Sequence, residues 1–228
     1  MKIALLCAAL LACPVFAAER TLSVTDFDRL RVDGNFTVEV TTGRGTSARV
    51  VGTQAAIDAT SVVVQGRQMT VRKNTTAWGG YPGQAAGTSI VRITVPALTT
   101  VWVTGPAKVS VDRLKGARVS AALEGAGDLS VANVVADYTS LAVIGPGRLG
   151  ISGTTADVNV TARGAGIIDA GGLKAADAKL TSETAGQVTL SVKRAITGTM
   201  TGSGSVTVLG KPACTIKNIG SGSVACGI

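Results

Sequence analysis

Few residue types in this sequence could carry out chemistry. The 228 residues contain no histidine, which excludes Ser-His-Asp and Cys-His catalysis and removes the commonest metal ligand. The stretch Gly125-Ala126-Gly127-Asp128 is similar to a calcium-binding turn, but a calcium roll needs a ladder of aspartates and only one copy has it. The Gly-x-Gly motifs lack the strand-to-helix context of a phosphate-binding loop. We therefore expect no metal and no cofactor.

Carboxylates remain as candidates for acid–base chemistry, and they are spread along the chain at Asp112, Glu124, Asp128, Asp157 and Asp169. Asp128 and Asp169 fall on outward positions of the same strand two repeats apart, which separates them by roughly 10 Å. That distance is near the spacing of an inverting pair of carboxylates. No aromatic residue that could hold a sugar flanks them on that face. A polysaccharide-active enzyme is thus an alternative, and a non-enzymatic protein is the main prediction.

Aromatic residues beside cations are the better candidates for a binding site. Trp102 lies between Val101 and Val103 and should point outward where those valines point inward. The long segment 73–89 leaves the chain shortly before and carries two further aromatics, so we expect it to fold back near Trp102. Such a patch suits sugar rings that bear acidic groups. The candidate ligand-binding residues are Trp78, Tyr81, Trp102, Arg72, Lys73 and Arg92. The alternative is that the segment only covers Trp102 as a small satellite core.

A repeated Gly-x-Gly motif, at which the chain turns a sharp corner between two strands, must position these residues. It recurs seven times, at spacings of 20, 20, 19, 20, 18 and 18 residues, beginning at Gly105, Gly125, Gly145, Gly164, Thr184, Gly202 and Gly220. Apolar and polar residues alternate after every corner, as in a strand with one buried face. The first apolar position holds Val109, Leu129, Leu149, Ile168, Val188, Val206 and Val224. This pattern predicts an all-β, right-handed parallel β-helix with coils of about 18–20 residues.

Two further structural predictions follow from this repeat. Gly127 and Gly166 should have a positive φ or lie in tight contact, because a sharp bend between strands favours glycine. Cys214 and Cys226 fall on inward positions of the last coil. A disulfide between them would cap an end that is otherwise uncovered. Two buried free thiols are the alternative.

The first residues have the features of a secretory signal peptide. Lys2 precedes the apolar run Ile3 to Ala12, and Val15-Phe16-Ala17 is a small-residue cleavage site. We expect residues 1–17 to be removed, although acylation of Cys13 as a lipoprotein is an alternative. The apolar run is too short to span a membrane. The mature chain, 18–228, should therefore form one exported domain without a transmembrane segment, with its repeats at about 99–226.

The net charge of the chain is +8. No run of basic residues is longer than two, and no basic aromatic surface motif is present, so we expect no nucleic-acid partner. We therefore interpret the positive net charge as scattered surface charge on an envelope protein, in preference to attraction to anionic glycans or lipid headgroups.

Three stretches carry a resemblance to a known family. They are Phe27-Asp28-Arg29-Leu30-Arg31-Val32, Phe36-Thr37-Val38-Glu39-Val40 and Ile93-Thr94-Val95-Pro96-Ala97-Leu98, followed by the serial glycine corners. Over about residues 27–226 the chain resembles the GIN-domain family of bacterial envelope proteins, the heads of auto-transporter adhesins. The resemblance implies a β-helical fold and an adhesin or surface role in the periplasm or at the cell surface, and it supplies no catalytic residues. Envelope or host glycans, or another envelope protein, are the implied partners. A structural periplasmic protein with no specific ligand is the remaining alternative.

Overall fold

The computed structural model describes residues 18–75 and 88–228. The predicted signal peptide, with Cys13, lies outside this part of the chain. One short helix is described, α1 (Gln54–Asp58), and all other elements are strands. The strands are β1 (Ala18–Leu22), β2 (Arg29–Asp33), β3 (Thr37–Thr42), β4 (Ser47–Gly52), β5 (Thr60–Gln65), β6 (Gln68–Lys73), β7 (Ile90–Val95), β8 (Thr100–Thr104), β9 (Lys108–Glu124), β10 (Asp128–Ile144), β11 (Arg148–Gly164), β12 (Ile167–Thr184), β13 (Gln187–Thr201), β14 (Ser205–Leu209), β15 (Ala213–Asn218) and β16 (Ser223–Cys226).

The strands wind into a β-solenoid of about six turns, which confirms the predicted fold class. Strands β9 to β12 are 17 or 18 residues long, so each one covers nearly a whole coil. Each pairs in parallel with the equivalent strand of the next coil. Leu129, for example, lies in register between Val109 and Leu149. Equivalent side chains of successive coils therefore stack in ladders.

The interior of the solenoid is filled by these ladders. The first apolar position after each corner is at most 1% exposed in six successive coils, at Val109, Leu129, Leu149, Ile168, Val188 and Val206. A thin interior between parallel strands has room for Val, Leu, Ile and Ala rather than for large rings. The two-residue alternation in the sequence thus corresponds directly to the inner and outer surfaces of the coils.

The corners use their two glycines for different reasons. The first glycine has a positive φ, +97° at Gly105 and +111° at Gly125, a conformation that side chains other than glycine rarely adopt. The third residue has no positive φ, but it has no space. A Cβ on Gly127 would lie 2.6 Å from the Ala107 carbonyl oxygen, and one on Gly166 would lie 2.5 Å from Val143 Cγ1. The tight-contact part of the expectation is therefore correct, and the positive φ belongs two residues earlier.

Two coils adapt the regular pattern locally. At the corner that begins with Thr184, the threonine hydroxyl donates to the Gly164 carbonyl oxygen at 2.9 Å and accepts from the Gly186 N–H at 2.8 Å. Strand β11 belongs to the 19-residue repeat, and its register against β10 shifts by one residue between Val131 and Val134. Gly153, with a φ of +129°, takes up this shift.

The N-terminal end is closed by packed secondary structure. Strands β2 and β3 join through an eighth corner at Gly34, with a φ of +116°, and pair in parallel with β8 and β9. Strands β6 and β7 pair in parallel with β2 and β3 in turn. Strands β1, β4 and β5 add antiparallel pairs at the edges. Ile57 of α1 is buried with them in the common core.

The C-terminal end is covalently closed and otherwise open. Strand β15 pairs with β13, and β16 pairs with β14. Cys214 extends the ladder of Ile196, Cys226 extends that of Val208, and a disulfide joins the two cysteines as the sequence predicted. Both cysteines are exposed because no further coil covers them.

Candidate functional site

The strongest candidate site lies around Trp102, in the middle of β8. Its neighbours Val101 and Val103 are fully buried, while Trp102 is 39% exposed and points outward as predicted. In register, Trp102 lies between Arg31 of β2 and Ala122 of β9. A large ring is therefore held at the centre of an outer sheet surface by buried valines on both sides.

Arg31 fixes one side of this ring. Its guanidinium carbon lies 4.9 Å from the centroid of the Trp102 ring, within the range of a cation–π contact. Its Nε donates to both carboxylate oxygens of Asp33, at 3.0 and 2.9 Å. The hydrogen bond that Arg31 donates to Asp33 raises the pKa of Arg31, and the charges of Asp33 and Glu124 act in the same direction. Arg31 thus stays charged and is held against the ring.

The other side of Trp102 opens onto small and apolar side chains. Ala122 and Ala142 follow Trp102 in register on the next two strands. Ile144, two residues beyond Ala142, is 41% exposed. We call Trp102, Ala122, Ala142 and Ile144 the aromatic shelf; its three strands place Trp102 about 10 Å from Ala142.

Ion pairs border the aromatic shelf on both sides. The Arg31–Asp33 pair lies next to Trp102. On the far side, Arg163 lies opposite Ile144 and is 3.2 Å from the Glu183 carboxylate. A flat apolar strip with charged groups at its margins can stack against the apolar face of a sugar ring while the margins bond to its hydroxyl groups.

A second exposed aromatic has different surroundings. Tyr138 is 38% exposed on β10, with Arg118 opposite on β9 and Asp157 opposite on β11. Its neighbours on both sides are therefore charged, and no apolar strip continues from its ring. This contrast makes Tyr138 a matched reference for Trp102.

The predicted cations do not all gather at Trp102. Arg72 of β6 lies opposite Asp33, on the same outer surface and two strands away from β8. Lys73 is exposed at the end of β6. Arg92 belongs to β7, in the other part of the coil, where its Nε bonds to Glu39 at 3.0 Å. Trp78 and Tyr81 lie outside the described residues, so the role of segment 73–89 stays a prediction.

Sequence reasoning did not identify Arg31 as a partner of Trp102. Alternation with Leu30 and Val32 indicates that Arg31 points outward. The missing information was the pairing of β2 with β8, which joins residues about 70 positions apart. The unrecognised corner at Gly34 was the available signal, because it shows that β2 and β3 form a coil of their own.

Asp128 and Asp169 do not form the inverting pair that the sequence suggested. Asp128 lies opposite Arg148, whereas Asp169 lies opposite Gly150, two residues further along β11. Two strands and two residues separate the carboxylates by about 12 Å, beyond the roughly 6.5–9.5 Å of an inverting pair. Within residues 18–75 and 88–228, no three Cys, Asp or Glu side chains gather as a metal site would require. The helix in the described part of the chain is far too short to cross a membrane.

The comparisons with known proteins bear on the whole chain. The sequence matches the family model described as "Putative auto-transporter adhesin, head GIN domain" over residues 26–212. A comparison with curated proteins gave no significant match.

Solved structures share the fold at low sequence identity. A "putative adhesin" from Bacteroides fragilis has a TM-score of 0.80 at 19% identity, covering 93% of this chain and 97% of that one. A "putative adhesin" from Parabacteroides distasonis has a TM-score of 0.70 at 16% identity, covering 92% and 97%. A "Putative lipid binding protein" from the same species has a TM-score of 0.65 at 16% identity, covering 93% and 97%. At these identities the likeness concerns the fold alone.

Proposed function

The chain belongs to the family of auto-transporter adhesin head GIN domains, and from this membership we propose that it is an exported, adhesin-like envelope protein that binds glycans without catalysing a reaction. It acts in the periplasm or at the cell surface, where envelope or host glycans are its partners. The ligand lies on the aromatic shelf, with one sugar ring stacked on Trp102.

One observation carries this proposal: the Trp102 ring is exposed in the middle of a sheet surface and is held rigidly there. Buried valines on either side set the position of the ring, and Arg31 fixes its orientation. A rigid aromatic loses little conformational entropy when a ligand binds, which favours affinity. Exposure of so large a ring on a thin solenoid is otherwise unfavourable.

The margins of the shelf indicate which sugars it takes. Asp33 and Glu124 accept hydrogen bonds, and Arg31 has further N–H groups beyond the one that Asp33 holds. The cations at the two margins, Arg31 and Arg163, are already paired with Asp33 and Glu183, which favours hydroxyl groups over acidic groups. We therefore expect neutral sugar rings on the shelf, in place of the sugars with acidic groups that were expected from the sequence.

A glycan array followed by calorimetry tests this function. The purified protein is screened against neutral and acidic oligosaccharides, and the best binder is titrated into Trp102→Ala and, as a matched control, Tyr138→Ala. Losing the ring should weaken binding by about tenfold or more, with an unchanged melting temperature. Tyr138→Ala should bind like the parent protein, because its ring is equally exposed but lies outside the shelf.

The opposite results would reject the proposal. If Trp102→Ala melts at a lower temperature but binds the glycan normally, Trp102 contributes to packing and not to ligand binding. A parent protein that retains no oligosaccharide at all fits a structural envelope protein. New reducing ends on any polysaccharide of the panel would instead support an enzyme.

A further inference from the structure

A second feature of the molecule is a groove beside the N-terminal end, on the outer surface of β3, β4 and β7. Strands β3 and β4 follow each other in sequence, but β7 lies between them and pairs with both. The turn at residues 43–46 must therefore pass over the end of β7. The turn and the three strands enclose a depression of about 470 Å³. We call this depression the arginine groove because Arg44, Arg49 and Arg92 line it.

Hydrogen bonds hold the turn in place above the groove. The Gly43 N–H donates to the carbonyl oxygens of Val95 and Pro96 at 3.0 and 3.1 Å. The Thr94 hydroxyl donates to the Gly45 carbonyl oxygen at 2.7 Å and lies 2.8 Å from the Ser47 hydroxyl. Residues on both sides of Arg44 are therefore tied to β7, so the position of Arg44 is built into the fold.

Two arginines in the groove lie where they repel each other. Arg49 of β4 and Arg92 of β7 are directly opposite in an antiparallel pair. Like charges at such positions destabilise a sheet, because the side chains start about 4.5–5.5 Å apart. Each is partly compensated from outside the pair, Arg49 by Glu19 at 3.0 Å and Arg92 by Glu39 at 3.0 Å. A bound anion would relieve the remaining repulsion.

Donors remain free for such an anion. A guanidinium has five N–H groups, and the ion pairs of Arg49 and Arg92 each use one nitrogen. Arg44 forms no ion pair with any residue in 18–75 or 88–228. Glu39 is the one carboxylate among the lining residues of the groove. The groove therefore has an excess of positive charge with unused donors.

We propose that the arginine groove binds a phosphate or sulfate group carried by a larger envelope molecule. The three guanidinium groups come from three separate elements, the turn, β4 and β7, so they approach a ligand from different sides. The oxygens of a phosphate or sulfate group are arranged tetrahedrally and can be reached from different sides, whereas the two oxygens of a carboxylate lie in one plane. Arginine also suits bidentate contacts to such oxygens. The depression has room for the oxyanion and for part of the glycerol or sugar that carries it.

Binding of small anions tests the site directly. Inorganic phosphate, sulfate, glycerol 3-phosphate and acetate are titrated into the purified protein by NMR. Arg44→Gln should weaken phosphate and sulfate binding by about tenfold, because it removes a cation that has no ion-pair partner among the described residues. Arg44→Lys should give an intermediate loss of affinity, since it keeps the positive charge but not the planar guanidinium that makes bidentate contacts. Arg113→Gln, an equal change of charge at an exposed position on β9 outside the groove, should have no effect.

Vesicles distinguish the two sources of such a group. A lipid headgroup would be identified if the protein co-sediments with phosphatidylglycerol vesicles but not with phosphatidylcholine vesicles. Glycerol 3-phosphate should then compete with this binding, and Arg44→Gln should abolish it. Binding of the soluble esters without vesicle binding would identify a phosphorylated or sulfated glycan. Equal losses in Arg44→Gln and Arg113→Gln, no phosphate binding, or acetate binding as tight as phosphate binding would each overturn the proposal. None of these results depends on Trp102.

Discussion

The two ends of the solenoid are closed in different ways. At the N-terminal end, antiparallel strands and α1 pack over the last ladder, and Ile57 is 2% exposed. At the C-terminal end, the last ladder carries the Cys214–Cys226 disulfide, and Ile219 is left 60% exposed. A terminal coil has an apolar face with no neighbour, and either packing or a covalent link can stop it from fraying.

The difference shows what each kind of closure makes possible. Packed closure at the N-terminal end includes β4 and the turn at residues 43–46, and both of these line the arginine groove. Covalent closure needs only two side chains and leaves the coil backbone uncovered. The first end has therefore gained a surface with its own shape and charge, while the second has gained only stability. Four changes probe this contrast, in decreasing order of expected effect.

Removing apolar volume should have very different consequences at the two ends. Ile57→Ala opens a cavity in a packed cap and should cost about 2–5 kcal/mol of unfolding free energy. Ile219→Ala, the matched change at the other end, should alter stability by less than about 0.5 kcal/mol because its side chain is exposed. Urea unfolding followed by circular dichroism measures both. Similar costs for the two variants would contradict the contrast between the ends.

Opening the disulfide should loosen the C-terminal end alone. The bridge closes a sequence separation of 12 residues, for which about 2–4 kcal/mol of stabilisation is expected. In a Cys214→Ser, Cys226→Ser double variant, amides of β15 and β16 should exchange faster with solvent, while those of β10 stay protected. Hydrogen exchange by mass spectrometry resolves the two regions. Uniform loss of protection across the coils would mean that the solenoid does not fray from this end.

The same steric overlap should cost less at an end than in the middle. A Cβ on Gly127 would lie 2.6 Å from the Ala107 carbonyl oxygen, and one on Gly222 would overlap that of Gly204. Gly127→Ala should cost about 1–3 kcal/mol because coils on both sides prevent relaxation. Gly222→Ala should cost clearly less, since the last coil can shift away from its single neighbour. Melting curves of the two variants give the comparison, which fails if Gly222→Ala is the more damaging.

Acid should weaken the N-terminal end by a small amount. The hydrogen bond from Arg67 lowers the pKa of Asp28. A carboxyl whose folded pKa is depressed stabilises the protein above its unfolded pKa of about 4, and this is lost as the pH falls through the folded pKa. Because Arg67 is exposed, Asp28→Asn should cost no more than about 1 kcal/mol at pH 7.

The difference between Asp28→Asn and the parent protein should be smaller at pH 3 than at pH 7. The chain has no Asp or Glu after Glu183, so exchange of the β16 amides should be the same in both proteins. Urea unfolding at the two pH values, with exchange at β16 as the control, measures this. A difference that grew in acid would mean that folding raises the pKa of Asp28 and does not lower it.

The regular coils could be predicted from the sequence because their information is local. Val109, Leu129 and Leu149 recur at one spacing, so the alternation within each repeat identifies the interior and the spacing identifies the register. Cys214 and Cys226 could be placed on neighbouring ladders by the same count. The different roles of the first and third corner positions could not be predicted. Spacing alone does not distinguish a position that needs a positive φ from one that has no room for a Cβ.

The candidate sites depend on contacts that spacing does not contain. Arg31 meets Trp102 only because β2 pairs with β8 across the residues of the N-terminal cap. Arg92 was assigned to Trp102 from its closeness in sequence, yet β7 carries it to Glu39 and Arg49. In both cases the chain leaves the repeat and returns, and the point of return is set by tertiary pairing.

The ladder of corners also gives the molecule an adjustable length. Each regular coil pairs with the coil before it and the coil after it, and a further coil could be inserted at any corner. Duplication of a 20-residue unit would move the arginine groove and the disulfide-closed end apart by about 4.8 Å, while every ladder stayed in register. Evolution could in this way change the distance between the two ends without redesigning either of them.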